Sequence, residues 1–448
     1  MFAWDARATS DRPKADGIQP TVLDLGAFRD RWVAGTNWLA FHVLNVAPDD
    51  PDLLLHASLK AATDPGVPYA YLERPTPGAP NEGPWHVGLV ADTRFSVGRG
   101  LHREPVTLEI LCDTPGAEIR YTLDGSPPGS ETGLRYTGPI RIERTTVVRA
   151  AAFKPGYRPT NVDTHTYIFP ADVAVQPRRP AGFPASWAGV SADYEVDPRI
   201  AQHPEYAPGF AENLRSLPSI SLVCAQEDLF GTDRGIYANP ERSGLAWERP
   251  VSMEWIDPGR DDAFQVGAGL RIQGGYFRQR SVTQKHSLRL VFKDAYGPGR
   301  LRRDLFREFG AAREFDTLVL RAGANDGYAW DAAKDTEQFI RDEFGRRLHL
   351  DMGHPSPRGR FVHLYLNGLY WGLYNLTERP AEDFSATYMG GVPEDWDAIN
   401  SGDVKSGSLA AWNAFVAAAR SAAGLADYQR LKGLNPDGSR NPAQPAHL

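Results

Sequence analysis

Cysteine is nearly absent from this 448-residue chain, which contains only Cys112 and Cys224. The two cysteines fall in different predicted domains, which excludes a disulfide framework and argues against a cysteine-based metal site. We therefore expect both to be buried free thiols. Scarcity of cysteine leaves the cellular compartment open.

Long apolar runs are missing as well. No stretch approaches the roughly 18 consecutive apolar residues of a membrane-spanning helix, so no span is predicted. The first residues, MFAWDARATSDRPKADG, contain no apolar core and do not resemble a signal peptide. We expect either a cytosolic protein or a piece of a longer one.

A surplus of positive charge is also missing, because the formal net charge is −7. This balance argues against nucleic-acid binding. A local basic cluster at Arg300, Arg302 and Arg303 is interpreted as solvated loop charges. The chain is instead rich in turn formers and aromatics, with 36 Pro, 43 Gly and 11% Phe, Trp and Tyr. We predict several β-rich domains, about three at roughly 150 residues each.

The first predicted domain covers residues 1–84. Residues 38–44 and 52–57 have the apolar character of strands, and a proline-rich stretch at 71–84 follows them. Two strands do not make a sandwich, so we interpret this part as the end of a jelly-roll-like β-module plus a linker. An unpaired sheet edge would then be an aggregation hazard.

Residues 100–170 have the pattern of an antiparallel β-sandwich. Strands are predicted at 106–111, 118–123, 138–143, 145–153 and 163–169, separated by Gly- and Pro-containing turns. The motifs TPGAEIRYTLDGSPP, YTGPI, TTVVRAAAFKPGY and TYIF resemble the C-terminal Ig-like module of chitobiase and β-hexosaminidase proteins. In that family the module is an accessory, so the resemblance does not imply hydrolase activity. Residues 171–215 are predicted to be a proline-rich linker that wraps over its neighbours.

From residue 216 to 448 the pattern becomes α+β. The run RFVHLYLNGLYWGLYNLTERP (360–380) predicts a β-hairpin, because Asn367-Gly368 suits a type I′ turn. A helix is predicted over 335–350, with Asp335 and Gln338 as a capping box and Phe344 and Leu348 on an apolar stripe. Another helix is predicted over 408–432. Strands, a long helix, a hairpin and a helix follow one another as in a protein-kinase N-lobe that leads into its C-lobe.

Kinase chemistry needs a loop over the phosphates, a cation on a strand and a carboxylate to orient it. Gly274-Gly275 through Gln284 is a candidate loop, although a plain turn between strands fits equally well. Strand alternation lets Lys285 project into a cleft, whereas a solvated charge is the simpler interpretation. Glu337, Asp342 and Glu343 are possible partners on the helix, and we favour Asp342 with Arg341. Glu337 and Glu343 fit an exposed charge lattice at least as well.

The segments WERPVSMEW, GLRIQGGYFR, QKHSLRLVFK, FIRDEFGRRLHLDMG and FVHLYLNGLYWGLYNLTERP resemble, in order, the CotH (spore-coat protein H) kinase-like family. The resemblance extends over about 217–405 and implies an atypical protein kinase. Such a kinase uses ATP with Mg²⁺ or another divalent metal to phosphorylate Ser or Thr on secreted or coat proteins. It implies that Lys285 contacts the ATP phosphates and that Glu378 lies near the exit toward the nucleotide. The ATP-site candidates are therefore Gly274, Gly275, Lys285, Asp342 and Glu378.

One departure from the family pattern matters. The Asp-Trp-x-x-Asn-Asn segment with the family's catalytic aspartate, and the later metal-binding acid, do not occur here. We expect both to lie beyond residue 448, so that 216–448 is a kinase-like domain truncated at its C-terminus. We therefore predict no catalytic or metal-binding residue in this chain, no phosphoryl transfer by it alone and little stabilisation by Mg-ATP. The resemblances place the protein outside the cell or on its surface, with secreted or surface proteins as substrates and glycans as further ligands. The alternative is a non-enzymatic surface or adhesion protein.

Overall fold

The computed structural model describes residues 71–73, 80, 83–187, 189–306, 309–328, 330 and 335–441. The described residues fall into two compact units that divide after Gly88. In the first unit, β1 (Tyr71–Leu72) pairs antiparallel with β2 (Trp85–His86). The rest of the β-module remnant predicted for 1–84 lies outside the described residues.

The second unit begins with the predicted sandwich. Its five-stranded sheet has the order β5-β13-β11-β8-β9, and smaller pairings join β6 to β10 and β4 to β7. Leu108, Ile110, Val148 and Tyr167 are fully buried between them. The short strand β3 (Gly88–Leu89) spans the boundary between the two units. The strands after it are β4 (Thr93–Phe95), β5 (Gly100–Leu101), β6 (Val106–Leu108), β7 (Ile110–Cys112), β8 (Glu118–Thr122), β9 (Leu134–Arg135), β10 (Ile140–Ile142), β11 (Thr146–Phe153), β12 (Tyr157–Arg158) and β13 (Asp163–Ile168).

All five predicted sandwich strands are present, and one of them is divided. The stretch 106–111 breaks at Glu109, because β6 pairs with β10 whereas β7 pairs with β4. At the break the backbone of Glu109 bonds Ser96 instead of a ladder neighbour. The strand thus changes sheets, a long-range pairing that strand propensity does not encode.

The proline-rich segment after the sandwich packs over the barrel described below, and it contains short helices and strands. The Gln176 amide donates to the carbonyls of Tyr194 and Tyr370 and accepts from the Tyr370 N–H. Trp187 and Tyr194 join the aromatic core around Trp371. The elements here are α1 (Pro170–Ala174), β14 (Ser186–Trp187), β15 (Val190–Ser191), α2 (Pro198–Ala201) and α3 (Phe210–Ser216).

A closed seven-stranded barrel follows, with the order β16-β17-β18-β19-β22-β24-β23. The first strand closes it by pairing in parallel with β23, and Leu222, Leu290 and Leu364 are among its fully buried side chains. The elements are β16 (Ser219–Val223), α4 (Gln226–Phe230), β17 (Arg249–Asp257), β18 (Asp262–Gln273), β19 (Ser287–Val291), β20 (Leu301–Arg302), β21 (Glu314–Phe315), β22 (Thr317–Arg321), α5 (Arg341–Asp351), β23 (Gly359–Leu366) and β24 (Leu369–Glu378). This part is mainly β. The α+β N-lobe and the start of a C-lobe that we expect from the sequence are therefore not confirmed and stay a prediction.

The predicted helix over 335–350 is wrong in its start and its inner face. Helix α5 begins at Arg341, and Ile340 occupies its N-cap without a side-chain cap bond, so Asp335 and Gln338 form no capping box. The expected apolar stripe faces outward, with Phe344 64% and Leu348 49% exposed. The helix buries Glu343 instead, because that carboxylate gathers several donors.

The remaining elements follow the barrel. The single helix predicted over 408–432 is interrupted, since Gly424 is fully extended and separates two shorter helices. The elements are α6 (Glu382–Met389), β25 (Ala398–Asn400), β26 (Asp403–Ser406), α7 (Ala410–Ser421) and α8 (Leu425–Leu431).

A buried carboxylate joins the sandwich to the barrel. Glu254 on β17 has no exposed surface, and its Oε1 accepts from the Thr166 N–H of β13 at 2.9 Å. The Arg99 Nε lies 3.3 Å from the same oxygen, and Thr166 Oγ1 bonds both Glu254 and Ser221. Burial raises the pKa of Glu254, an effect that the Arg99 charge opposes. This Glu254 cluster ties the two folds into one unit.

The Asn367-Gly368 turn forms the other part of this junction. Both residues have positive φ, +46° and +84°, as the predicted type I′ turn requires. The Asn367 amide accepts from the Cys224 N–H and donates to the Cys224 carbonyl, at 2.9 and 2.8 Å. A Cβ at Gly368 would lie 3.4 Å from Val147 of the sandwich. The hairpin is confirmed, and its tip packs at the junction.

Glu254→Ala is expected to destabilise the chain by about 3–5 kcal/mol, because it leaves the nearly buried Arg99 guanidinium unpaired. The matched control is Glu143→Ala, which removes an exposed partner of Arg141 and is expected to cost about 0–1 kcal/mol. Urea unfolding measured at neutral pH compares the two. Equal effects of both substitutions would contradict the proposed role of the cluster.

Candidate functional site: the Lys285 recess

Lys285 lies two residues before β19 and is partly buried. The predicted alternation is confirmed, since Leu288 and Leu290 point into the core. The Lys285 Nζ donates to the Leu373 carbonyl at 3.0 Å and lies 4.9 Å from the centre of the Tyr374 ring. The lysine therefore projects across the barrel wall toward β24.

The Lys285 ammonium is poorly compensated. Loss of hydration lowers its pKa to about 8. In the described parts of the chain, no carboxylate oxygen lies within the 4.0 Å of an ion pair with its Nζ. One carbonyl dipole and an aromatic face stabilise the charge less than an anion would. The site thus holds a cation that an incoming anion would stabilise.

Gly274 and Gly275 lie at the same end of the β18–β19 hairpin as Lys285. The ladder places Gln273 opposite Ser287, so Gly274 and Gly275 leave β18 at the end of the hairpin where Lys285 and His286 lead into β19. A Cβ at either glycine would meet no atom within 4 Å. The loop predicted from Gly274 connects two strands, as expected, and its glycines face open space.

A small recess is lined by Leu373 and Tyr374, the two residues that the Lys285 ammonium contacts. Its volume is about 20 Å³, room for about one water molecule. Asp326, Phe339, Asp342, Glu343 and Asn375 line its inner side. A nucleotide does not fit into a space of this size, so the recess is not itself a nucleotide pocket.

Asp342 does not reach Lys285. Its carboxylate pairs with Arg321 at 3.1 Å and with Arg346 at 2.9 Å. Arg341, the other member of the favoured polar pair, binds Asp326 at 2.6 Å. The structure therefore brings Asp342 to the recess but gives it arginine partners of its own.

Glu343 is the helix carboxylate that the sequence interpretation undervalued. It is 9% exposed, and it accepts from Arg346 and Arg347 at 2.7 and 2.6 Å. It also accepts from the Asn375 amide at 3.0 Å, which fixes the helix to β24. The spacing of three and four residues to the arginines was visible in the sequence. That spacing does not tell a buried cluster from an exposed one.

Glu378 lies away from the lysine. It is buried at the far end of β24, five residues beyond Leu373, or about 17 Å at strand rise. Its carboxylate accepts from the Arg358 N–H at 2.8 Å and from the Tyr388 hydroxyl. Burial raises its pKa. The structure thus separates Glu378 from Gly274, Gly275 and Lys285.

Gly372 is a site residue that sequence reasoning missed. It has a φ of +117°, and a Cβ there would lie 3.2 Å from the Lys285 Nζ. A side chain would both strain this backbone and press on the ammonium group. The second glycine of NGLYWG was the available signal, but nothing in the sequence pointed from it to the lysine.

Gly372→Ala is expected to destabilise the protein by more than Gly274→Ala, a matched control with a φ of +119° and open space around its Cβ. Backbone strain of about 1–3 kcal/mol is common to both substitutions. The excess destabilisation by Gly372→Ala reports the Lys285 contact, and it should vanish when both glycine substitutions are repeated in a Lys285→Ala background. Urea unfolding measures the loss of unfolding free energy for each glycine substitution in each of the two backgrounds. An excess that persists without the lysine would contradict this assignment.

The pH dependence of stability provides a second test. A lysine whose pKa falls to about 8 on folding binds fewer protons than the unfolded chain between about pH 8 and its ordinary value of 10.5. The free energy of unfolding therefore gains a term that rises with pH over this window, by less than about 3 kcal/mol. Lys285→Met should lack this term. Parallel pH profiles of the two proteins, measured by urea unfolding, would show that the lysine keeps its ordinary pKa.

None of the helices among the described residues has the length and apolar character of a membrane span.

No curated protein matches this chain. Two family models do match. Residues 98–164 match the chitobiase/β-hexosaminidase C-terminal domain, and residues 270–423 match the CotH kinase protein family. The Lys285 recess lies in the second region and the sandwich coincides with the first. Both resemblances drawn from the sequence are confirmed in the predicted order: a stretch that matches the chitobiase/β-hexosaminidase C-terminal domain (the chitobiase-type domain) precedes one that matches the CotH kinase family (the CotH kinase family region).

Proposed function

We propose that the CotH kinase family region is the nucleotide-facing part of an atypical protein kinase, with Lys285 as the cation that contacts the phosphates. The observation that supports this most is the environment of the lysine. Its ammonium is desolvated and has no carboxylate partner in the described ranges, and the lysine lies at the same end of the β18–β19 hairpin as two glycines that face open space. A structural lysine would ordinarily be solvated or paired.

The chain's own residues fit the phosphate part of ATP. A phosphate oxygen that approaches from the side of the two glycines would accept hydrogen bonds from the Lys285 ammonium. It would do so either in place of the Leu373 carbonyl or together with it. Gly274 and Gly275 would let the anion approach their backbone N–H groups, since neither carries a Cβ. Bound ATP would supply the phosphoryl group. Lys285 would hold and orient its phosphates.

The described residues do not fit a divalent metal. They include no group of three or more His, Cys, Asp or Glu side chains placed to hold one. Asp342, Glu343 and Glu378 are each bound to arginine, tyrosine or backbone donors. We place no metal-dependent step on these residues, and we propose that the chain by itself transfers no phosphate.

We further propose that the kinase transfers the phosphoryl group to a Ser or Thr of a secreted or surface protein. We also propose that the kinase itself works outside the cell. Two features support this assignment. The CotH family includes spore-coat and surface-associated proteins. The chitobiase-type domain favours a setting rich in glycans, and cell-surface glycans are the additional ligands we propose for it.

A specific observation favours a second function, that of a non-enzymatic surface or adhesion scaffold. Every candidate group except the glycines already has an internal partner: Lys285 has Leu373, Asp342 has two arginines, and Glu378 has Tyr388. In this reading the lysine fastens β24 to the start of β19 and binds no ligand.

ATP binding separates the two functions. For the kinase-type function, we expect weak binding to this chain, around millimolar, that Mg²⁺ does not strengthen. Lys285→Ala should abolish the binding because it removes the phosphate contact, and Lys285→Arg should keep part of it. The measurement is isothermal titration with ATP, with and without Mg²⁺.

The control variant is Lys405→Ala, which removes a lysine paired with Asp403 in another part of the chain. It should bind ATP like the unchanged protein. Binding that survives Lys285→Ala, or no binding at all, would reject the assigned role of Lys285 and favour the scaffold.

A further inference from the structure

A large cavity opens where the sandwich meets the barrel. Its volume is about 950 Å³, at the upper end of the range of small-molecule sites. It shares no lining residue with the Lys285 recess. The sandwich and the barrel lie in one compact unit, so the cavity belongs to a single folded body.

The lining of the cavity contains more arginines than acids, although the chain has a net charge of −7. Three of these arginines have carboxylate partners: Arg99 pairs with Glu254, Arg300 with Asp383 and Arg302 with Glu314. Five arginines line it against two acids, Asp163 and Asp228. The basic cluster interpreted above as solvated loop charges contributes three of these arginines to one wall, and Arg300 is anchored there by Asp383. The five are Arg99, Arg149, Arg300, Arg302 and Arg303.

Arg149 is the least compensated of the five. Its Nη1 donates to the Gly125 carbonyl at 2.8 Å. Its Nε is buried and has no hydrogen-bond partner in the described ranges, and no carboxylate oxygen there lies within ion-pair distance. Loss of hydration lowers its pKa. A guanidinium in this condition presents its fork of donors to an oxyanion.

Ser252 provides a second donor in the same wall. Its side chain is 5% exposed, and its hydroxyl has no partner in the part of the chain that the structure describes. On the facing loop, the Arg303 guanidinium stacks 4.7 Å from the centre of the Phe264 ring and pairs with no described carboxylate. The guanidinium groups of Arg149 and Arg303 and the hydroxyl of Ser252 can therefore donate to a ligand.

The two acids do not make this a cation site. Asp228 pairs with Arg234 at 2.7 Å, and the Asp163 carboxylate binds Thr93 and Asn161. No cluster of three metal-ligating side chains occurs among the described residues. The charge that remains uncompensated in the cavity is positive.

We propose that this cavity binds a ligand that carries a phosphate or sulfate group, with Arg149 and Ser252 as the inner donors and Arg303 at the loop. The shared chemistry is a tetrahedral oxyanion, whose oxygens accept from a guanidinium fork and a hydroxyl at once. The volume of the cavity exceeds that of a free ion, which points to an oxyanion attached to a larger polar body such as a sugar.

The test is isothermal titration of the full chain with inorganic phosphate, sulfate and glucose 6-phosphate, at an ionic strength held constant with chloride. We expect saturable binding, tightest for glucose 6-phosphate. Arg149→Met should weaken it at least about tenfold, the value of a charged hydrogen bond. Ser252→Ala should weaken it a few fold and should fold normally, since its hydroxyl has no partner to lose. Arg141→Met, which removes an exposed arginine of the same sandwich, is the matched control.

No saturable binding of any of the three probes would overturn the proposal. So would binding that Arg149→Met and Ser252→Ala leave unchanged. Equal affinity for phosphate and glucose 6-phosphate would reject the larger ligand and keep the oxyanion site. If Arg149→Met does not fold, as judged by circular dichroism, Ser252→Ala together with Arg303→Gln decides the outcome by the same criterion.

Discussion

The arrangement of this protein depends on one buried carboxylate. Glu254 is on a barrel strand, yet most of its partners, Arg99 and Thr166, belong to the sandwich. A carboxylate without exposed surface is tolerated only where charge and hydrogen bonds compensate it. The sandwich supplies both, so the barrel strand and the accessory domain require each other. The chitobiase-type domain is therefore fixed against the CotH kinase family region and is not a tethered appendage.

The fixed junction explains the position of the Asn367-Gly368 turn. A hairpin tip is usually free to face water, but here the Asn367 amide closes on the Cys224 backbone and Gly368 lies against Val147. The same docking creates the arginine-lined cavity, because Arg99 and Arg149 come from one domain and Arg303 from the other. Neither domain alone would enclose this space.

Charge compensation is unequal across the described residues. Two buried acids each accept hydrogen bonds from several donors: Glu248 binds Arg271, Lys293 and Tyr296, and Glu343 binds two arginines and an amide. Lys285 and Arg149 are desolvated and have no carboxylate partner among the described residues. Ligand sites are commonly found where compensation is left incomplete, since the ligand completes it. The two cations mark two separate places where an anion would do so.

The sequence by itself determined the local features. Strand alternation, the Asn-Gly turn and the sandwich strands depend on neighbours within a few residues, and the motifs identified both families. Tertiary structure decided the rest. The capping box predicted at Asp335 is absent, and α5 exposes Phe344 and Leu348 while it buries Glu343, whose donors lie on α5 and β24. The separation of Glu378 from Lys285, the fit of Gly372 against that lysine and the closure of the barrel all depend on contacts between distant segments. Pairing across such distances is set by the packing of the whole domain, and no local pattern in the chain encodes it.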